Sequence, residues 1–586
     1  MDNLSISKIF ADVAVLMQAK GENAFKVRAY SRASGAIENL LFQITDIIDD
    51  TERLGLIPGF GKAIIEKTQE LVRTGQLGLL DRLNEEVPAG VLELTQIPGI
   101  GPKTAMAAAT ELGISSFEQL AVSIESGEFE SLPRISAKLS KAILRHTLMR
   151  LDNGDRVGLG RASKAAVQII QEIQGRCPDV EHLEIVGSIR RGSELVGDIN
   201  ILAQSEDAAS VIDAFTTLSI CREVVVHEDS TARFSDRTGL EFSIDVVPAA
   251  AFAGALVHST GSVAHVTTLE QVALAAGLSF RSNGLFVDET SELVSLQSEK
   301  EVYERLGLNF IPAEMREGSA ETGRSLSTDF HGVLKYDDIR GDLHSHTDWS
   351  DGLYSMEEMI AAAEEQGLEY LAITDHSASA TVANGLKPDR LIEHSNLVRS
   401  LDSSTSSIRL LSGTEMDIKL DGSLDYTDDL LAGLDIVNAS IHSGMDQDEK
   451  TMTGRIVSAM RNPHVDVICH LTTRLIERRA PVMVDVDTIF NTAVATGTVL
   501  EINASPERLD LNADLVRKAV DMGVIFVINT DSHRTPQFEN MMFGVQTAIR
   551  GCVKSNRVIN TLPFLEMKAF LELPKSERYE FRFSRD

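Results

Sequence analysis

The residues of this chain best suited to chemistry lie in its C-terminal half. Asp342-Leu343-His344-Ser345-His346 is followed by Asp351, by Thr374-Asp375-His376, by Glu415, His442 and His470, and by Asp531-Ser532-His533. Imidazole suits zinc, manganese and iron, and carboxylates can bridge adjacent ions. Six of the chain's 14 histidines belong to this set, with the three carboxylates Asp351, Glu415 and Asp531. Clustered divalent ions lower the pKa of a bound water and stabilise attacking and leaving oxygens. These residues are therefore expected to bind divalent metal. Arg474, just beyond His470, is a candidate phosphate holder.

These side chains can act together only if the fold gathers them. Nearly all of them follow directly on short apolar runs that read as strands: Ile339–Leu343, Tyr370–Thr374, Arg409–Thr414, Ile436–Ile441, Val465–Cys469, Val499–Ile502 and Val524–Asn529. Helical patterns over Met356–Gln366, Asp485–Val494 and Asp514–Met522 lie between some of them. Alternation of this kind predicts parallel strands, and seven of them suggest a barrel. The strand C-termini of a parallel barrel share one rim, so the nine candidate ligands should converge there.

The remainder of the 586 residues reads differently. Residues 5–150 are patterned for helices, and two short segments repeat: Ile57-Pro58-Gly59-Phe60-Gly61-Lys62 and Ile97-Pro98-Gly99-Ile100-Gly101-Pro102-Lys103. From about residue 181 strand-like runs appear, and residues 312–338 lack apolar periodicity and read as a linker. No run of about 18 apolar residues indicates a membrane span, and the N-terminus lacks the plan of a secretory signal. Cys177, Cys221, Cys469 and Cys552 are far apart, which fits a reducing cytoplasm. A net charge of −32 argues against broad nonspecific affinity for nucleic acid. The first 150 residues, with 16 basic and 19 acidic side chains, repel a phosphate backbone least.

The histidine-rich segments resemble the PHP (polymerase and histidinol phosphatase) domain over about residues 339–575. That resemblance implies a distorted seven-stranded barrel with a three-metal site, every ligand position of which is filled, and metal-dependent phosphoester hydrolysis with two or three ions. Upstream, Gly187-Ser188-Ile189-Arg190-Arg191-Gly192-Ser193-Glu194-Leu195-Val196-Gly197-Asp198-Ile199-Asn200 resembles the palm motif of family X DNA polymerases. The chain as a whole is thus similar to family X polymerases that carry a 3′–5′ exonuclease domain. The resemblance implies that Gly187, Ser188, Arg191 and Gly197 hold a nucleotide. It also implies that three carboxylates bind two magnesium ions: Asp198 is matched to the first and Asp245 to the third, but the second position holds Asn200. An amide binds hard cations more weakly than a carboxylate. The Thr260-Gly261-Ser262 turn and His265 match that family, whereas Val263, Val266, Glu270 and Asn283 depart from it. Lys164 and Lys300 are the only lysines between residues 151 and 318.

The two Ile-Pro-Gly-x-Gly segments resemble helix-hairpin-helix motifs. Gly59, Gly61, Lys62, Gly99, Gly101 and Lys103 would then meet DNA phosphates at helix N-termini. Lys67 falls where some family members carry a Schiff-base lysine. The expected architecture is multidomain: a helical region with the first hairpin motif (1–85) and the second (86–150), an α+β nucleotidyltransferase-like palm (151–250) and a thumb (251–318). A linker (319–338) and a distorted (βα)7 PHP barrel (339–586) follow. The expected function is cytoplasmic DNA repair at gapped or nicked duplex and 3′ ends, through zinc, manganese or iron in the barrel. Polymerase activity, and with it the use of deoxynucleotides and magnesium, should be weakened or lost. The rivals are a fully active gap-filling polymerase with a proofreading barrel and a non-catalytic DNA-binding scaffold.

Overall fold

The computed structural model describes residues 3–583 except 39–43, 56, 58, 155, 237, 319–320, 327–329 and 405–406. Pro58 of the first hairpin motif and parts of the expected linker therefore lie outside the described residues. The chain divides into two compact units, Met1–Gly154 with Glu477–Ala480, and Asp155–Ile476 with Pro481–Asp586.

The first unit is helical. Its core is built from Ile6, Phe10, Val13 and Met17 of the helix Asn3–Lys20, with residues such as Leu71, Leu94, Ile97 and Ile143 from later helices. The two hairpin motifs have nearly the same backbone. Gly59 and Gly99 take φ of 90° and 96°, a left-handed conformation that favours glycine. Gly61 (φ −82°, ψ 168°) and Gly101 (φ −84°, ψ 166°) are the N-caps of the helices Lys62–Thr74 and Pro102–Glu111. Neither cap is satisfied by a side chain, and Lys62 and Lys103 are exposed beside them.

The second unit opens with a mixed five-stranded sheet in the order His182–Val186, Asp198–Gln204, Glu241–Val247, Thr231–Ser235 and Glu223–His227. Asp198–Gln204 pairs in parallel with Glu241–Val247, and the other pairings are antiparallel. Alternation buries Ile199, Ile201 and Ala203 on one face and leaves Asp198 and Asn200 on the other. Helices from Ala249 to Ala275, the hairpin Leu278–Arg281 with Gly284–Val287, and the helix Glu299–Arg305 complete the thumb-like part.

Seven parallel strands form the third element: Gly341–Asp342, Tyr370–Ile373, Arg409–Asp417, Ile436–Ser440, Val467–Ile468, Val499–Asn503 and Phe526–Asn529, in sequence order. Their interiors are buried on both faces, as helix-wrapped parallel strands require. A parallel bridge between Ser345 and Ser532 brings the extensions of the first and last strands together, so the barrel is nearly closed. All seven expected strands are present within a few residues of their predicted ends.

The segment expected as a linker is packed rather than free. It contains the short helices Ala313–Met315, Glu321–Ser325 and Tyr336–Asp338. Arg316 is fully buried, and Glu314, Met315, Glu321 and Leu334 are buried with it. Ala313–Met315 lies against the barrel helix Met541–Arg550, and the Leu334 amide donates to the Val553 carbonyl at 3.0 Å. One hydrophobic cluster runs from Val257, Leu269 and Tyr303 of the thumb through Met315 and Leu334 to Met416, Ile502 and Phe526 of the barrel. The segment lacks periodicity in sequence because it threads between two packed bodies and presents apolar side chains to both.

Candidate active site

The barrel rim gathers all nine predicted ligands. His344 and His346 follow the first strand, His376 the second, His442 the fourth, His470 the fifth, and Asp531 and His533 the seventh. Glu415 lies within the third strand, and Asp351 on the loop before the helix Met356–Glu365. The Nε2 atoms of His344 and His346 stand 3.2 Å apart, and His346 Nε2 is 3.1 Å from Asp531 Oδ1. Glu415 is central. Its Oε2 lies 2.9 Å from His376 Nδ1 and 3.5 Å from both His344 and His346, and its Oε1 lies 2.8 Å from His470 and 3.2 Å from His442. Asp351 bridges His376 and His533 at 3.5 and 3.3 Å.

Eight of these nine residues, all but His470, form three overlapping groups that could each hold an ion: His344, His346, Glu415 and Asp531; His346, Asp351, His376 and His533; and His376, Glu415 and His442; His344 also groups with Cys469 and Glu501. The residues fit metal better than hydrogen bonding alone. Lone-pair atoms of several imidazoles and carboxylates converge on common points, and the buried Nδ1 of His346 has no hydrogen-bond partner. Among the described residues no comparable group appears in the palm.

The electrostatics are those of opposed charges held in a dry site. Burial opposes the Glu415 carboxylate, but His376, His442 and His344 outweigh it and hold its pKa well below the ordinary range. Burial likewise opposes a charged His442, yet Glu415 and Asp417 push it up to about 9. His346 moves the other way, to about 4, through burial and the neighbouring His533 and His376. Two of the nine candidate residues sit on strained backbone, His470 at φ 27° and Asp531 at φ 54°. Such conformations cost of order 1–3 kcal/mol and persist where surrounding structure fixes them.

The groups that fix them were not visible in the sequence. Glu501 accepts from His344 Nδ1 at 2.8 Å and from the His470 amide at 2.8 Å, and the amides of Asn503 and Asn529 bind the same carboxylate. Asp417 takes His442 Nδ1 at 3.0 Å. Asp375 receives Thr347, Ser350 and His394, which holds the turn after the first strand. Orienting partners of this kind set which imidazole nitrogen faces an ion. The signal for Glu501 was a lone carboxylate inside the apolar run Val499-Leu500-Glu501-Ile502.

Arg474 does not stand free for a phosphate. Both its terminal nitrogens grip Glu194 of the palm, at 2.8 and 2.6 Å, and its Nε donates to the Arg508 carbonyl. The arginine that reaches the donor cluster is Arg508, whose Nε lies 3.7 Å from Asp531 Oδ2.

In the palm, Ser188, Arg191, Gly197 and Asp198 line one cavity of about 470 Å³, and Gly187 takes a left-handed turn beside Asn200. Barrel residues Asn512, Asp514 and Arg550 line the same cavity. Arg190 is bound by Glu299 through two 2.8 Å contacts, and Arg191 by Thr260 and Glu317. The match of Asp245 to the third carboxylate needs correction. Asn200 pairs with Ser243, whereas Asp245 pairs with Leu202 and accepts from Thr231. Four residues of register separate Asp245 from Asp198, about 13 Å along the strand. The side chain beside Asn200 is Ser243, whose hydroxyl donates to the Asn200 carbonyl oxygen at 2.5 Å. Lys67 is engaged by Glu70, and a paired ammonium is a poor Schiff-base nucleophile.

Comparison with known proteins accords with this architecture. Residues 1–77 match the helix-hairpin-helix domain, 91–146 the SAM-like helix-hairpin-helix tandem, 255–317 the DNA polymerase beta thumb and 342–505 the PHP domain. The DNA polymerase/3′–5′ exonuclease PolX of Bacillus subtilis is 34% identical over 98% of this chain and 100% of its own length. The chain belongs to the family X DNA polymerases that carry a PHP domain. The barrel also matches smaller proteins. Probable phosphatases of Shewanella oneidensis and Thermoanaerobacter pseudethanolicus are 29% and 30% identical over 33% of this chain and 75% and 78% of their own lengths. No described helix is long and apolar enough to cross a membrane.

Proposed function

We propose that this family X protein processes DNA ends by hydrolysis and no longer extends them. In this reading the barrel removes nucleotides from 3′ termini with two or three zinc, manganese or iron ions. The hairpin motifs hold gapped or nicked duplex by its phosphates. The Bacillus subtilis relative, named as both polymerase and 3′–5′ exonuclease, supports the nuclease half. The observation that carries the contrast is the state of the two sites: eight of the nine predicted barrel donors converge in groups that could hold ions, against a palm in which Asn200 and its register partner Ser243 are both uncharged.

Bound divalent ions would supply an activated water and charge stabilisation of the leaving oxygen. The residues supply the rest. His344, His346, Glu415 and His470 are closed from solvent, so their charges act in a medium of low dielectric. Asp351, His442 and His533 remain 25–35% exposed and form the open side by which a strand end can enter. In the palm, two magnesium ions would meet Asp198 together with the amide of Asn200 and the hydroxyl of Ser243, neutral groups that hold hard cations more weakly than carboxylates.

A labelled gapped duplex, incubated with and without nucleotides in magnesium, manganese and zinc, tests the reading. The expected result is 3′ shortening with manganese and negligible extension with magnesium. Asn200→Asp alone should leave extension near background, because Ser243 still lacks charge. Asn200→Asp with Ser243→Asp should raise it, each ~1.4 kcal/mol of recovered transition-state stabilisation giving about tenfold. Robust gap filling by the unmodified protein would establish the active-polymerase rival, and absence of both products would establish the scaffold. Release of phosphate from small monoesters without attack on DNA would assign the barrel to the chemistry named for the phosphatase relatives.

A further inference from the structure

Arg508 is a cation beside the donor cluster with part of its hydrogen-bonding capacity unused. It is 19% exposed, and beyond the 3.7 Å approach of its Nε to Asp531 its buried Nη1 has no hydrogen-bond partner. A guanidinium stays charged, and leaving a buried N–H unpaired is costly. The group that matches its planar fork is an oxyanion able to accept two parallel hydrogen bonds, such as a phosphate. Asp531 belongs to the same donor group as His344, His346 and Glu415, so an anion on Arg508 would adjoin that group.

The palm determines where Arg508 stands. Arg474 donates from Nε to the Arg508 carbonyl at 2.7 Å and from Nη2 to the Leu509 carbonyl at 2.5 Å, while its terminal nitrogens hold Glu194. Leu509, at φ 42°, is fully buried in the palm's own hydrophobic cluster with Leu159, Ile189 and Val196. Gly160 leaves room for Pro506, since a Cβ there would lie 2.6 Å from the proline ring. The loop that carries Arg508 is therefore seated on the palm and braced by a carboxylate from the palm motif.

We infer that Arg508 holds the phosphate of the DNA strand at the barrel site, and that Glu194, acting through Arg474, is a positioning residue for it. This rests on the nuclease reading of the barrel. It gives a palm that keeps only Asp198 of its three metal-matched carboxylates a continuing role as the jig of the nuclease.

The test uses the full-length, manganese-loaded protein and three readouts: metal content, calorimetric binding of deoxyadenosine monophosphate, and kcat/KM for removal of a labelled 3′ nucleotide. Arg508→Ala should keep its metal, bind the monophosphate about tenfold more weakly and lose about a hundredfold in kcat/KM. Arg508→Lys should recover only part, because lysine is a point charge without the fork. Glu194→Gln should show a smaller loss of the same kind and add little to Arg508→Ala, while Glu194→Asp should restore function if the charge rather than the fold is at issue. Loss of metal from Arg508→Ala in step with activity, or unchanged monophosphate binding, would overturn the phosphate role. Losses from Glu194→Gln that multiply fully with those from Arg508→Ala would overturn the positioning role. If the unmodified protein cleaves no DNA yet monophosphate binding still responds to Arg508, the nuclease reading falls and the phosphate site stands.

Discussion

The nine barrel donors differ in how they meet solvent. His344, His346 and Glu415 are at most 1% exposed, whereas Asp351 and His533 are 35% and 30% exposed. An ion on the inner group (His344, His346, Glu415, Asp531) is therefore enclosed, and one on the group containing Asp351 and His533 is open to water. Chelation should strip the site in two kinetic phases, read by timed metal analysis after adding EDTA, with nuclease activity lost in the fast phase. Glu501 is the residue on which the inner group leans, through His344 and the His470 amide. Glu501→Gln should lower metal affinity by about 10–100-fold, the usual cost of losing such a partner. Equilibrium competition with a metal indicator would check this, and an unchanged affinity would mean that packing alone orients His344.

At the scale of elements, the barrel was legible and the palm only partly. Short apolar runs separated by helical patterns can hardly be anything but buried parallel strands, and their polar ends located the rim. The pairing between palm strands was not legible. Ser243 and Asp245 lie two residues apart on the same face of one strand, so alternation treats them alike, and only the register against Asn200 separates them. Arg474 and Arg508 posed the same difficulty, since the partner that occupies Arg474 lies 280 residues away in the chain.

The clasp between palm and thumb was also hidden in sequence. Glu299 joins Arg190 of the palm to Arg316 of the thumb, at 2.8 and 2.6 Å. Burial alone would raise its pKa, but Arg316 and Arg190 hold it at about 2, below its ordinary 4.5. The unfolded chain therefore binds this proton more readily than the folded one. The stabilisation, about 3 kcal/mol, is fully present above pH 4.5 and is lost as pH falls through about 2. Glu299→Gln should destabilise the protein by about that amount near neutrality, and the difference from the parent should narrow between pH 6 and pH 3 in urea melts. A difference independent of pH would mean that shape rather than charge holds the clasp.

Taken whole, the molecule spends its positive charge sparingly. Arg190, Arg191, Arg474 and Arg550, which line or adjoin the palm cavity and its barrel seat, all have carboxylate partners inside the second unit. The hairpins, with open helix N-termini and exposed Lys62 and Lys103, are better suited to capture DNA. The continuous apolar cluster from thumb to barrel has a thermal consequence. Regions that share a core lose it together, and the palm's own cluster includes Leu509 and Phe543 of the barrel, so palm, thumb and barrel should melt as one cooperative transition. Metal held only by the barrel would then protect strands that never touch it, by about 2.7 kcal/mol when free metal is a hundredfold above its dissociation constant. Calorimetry with increasing manganese should move this transition upward as a unit, and hydrogen exchange should slow in the palm sheet Asp198–Gln204 as well as at the rim. In this molecule, the ions of one site would serve as the heat protection of another some distance away.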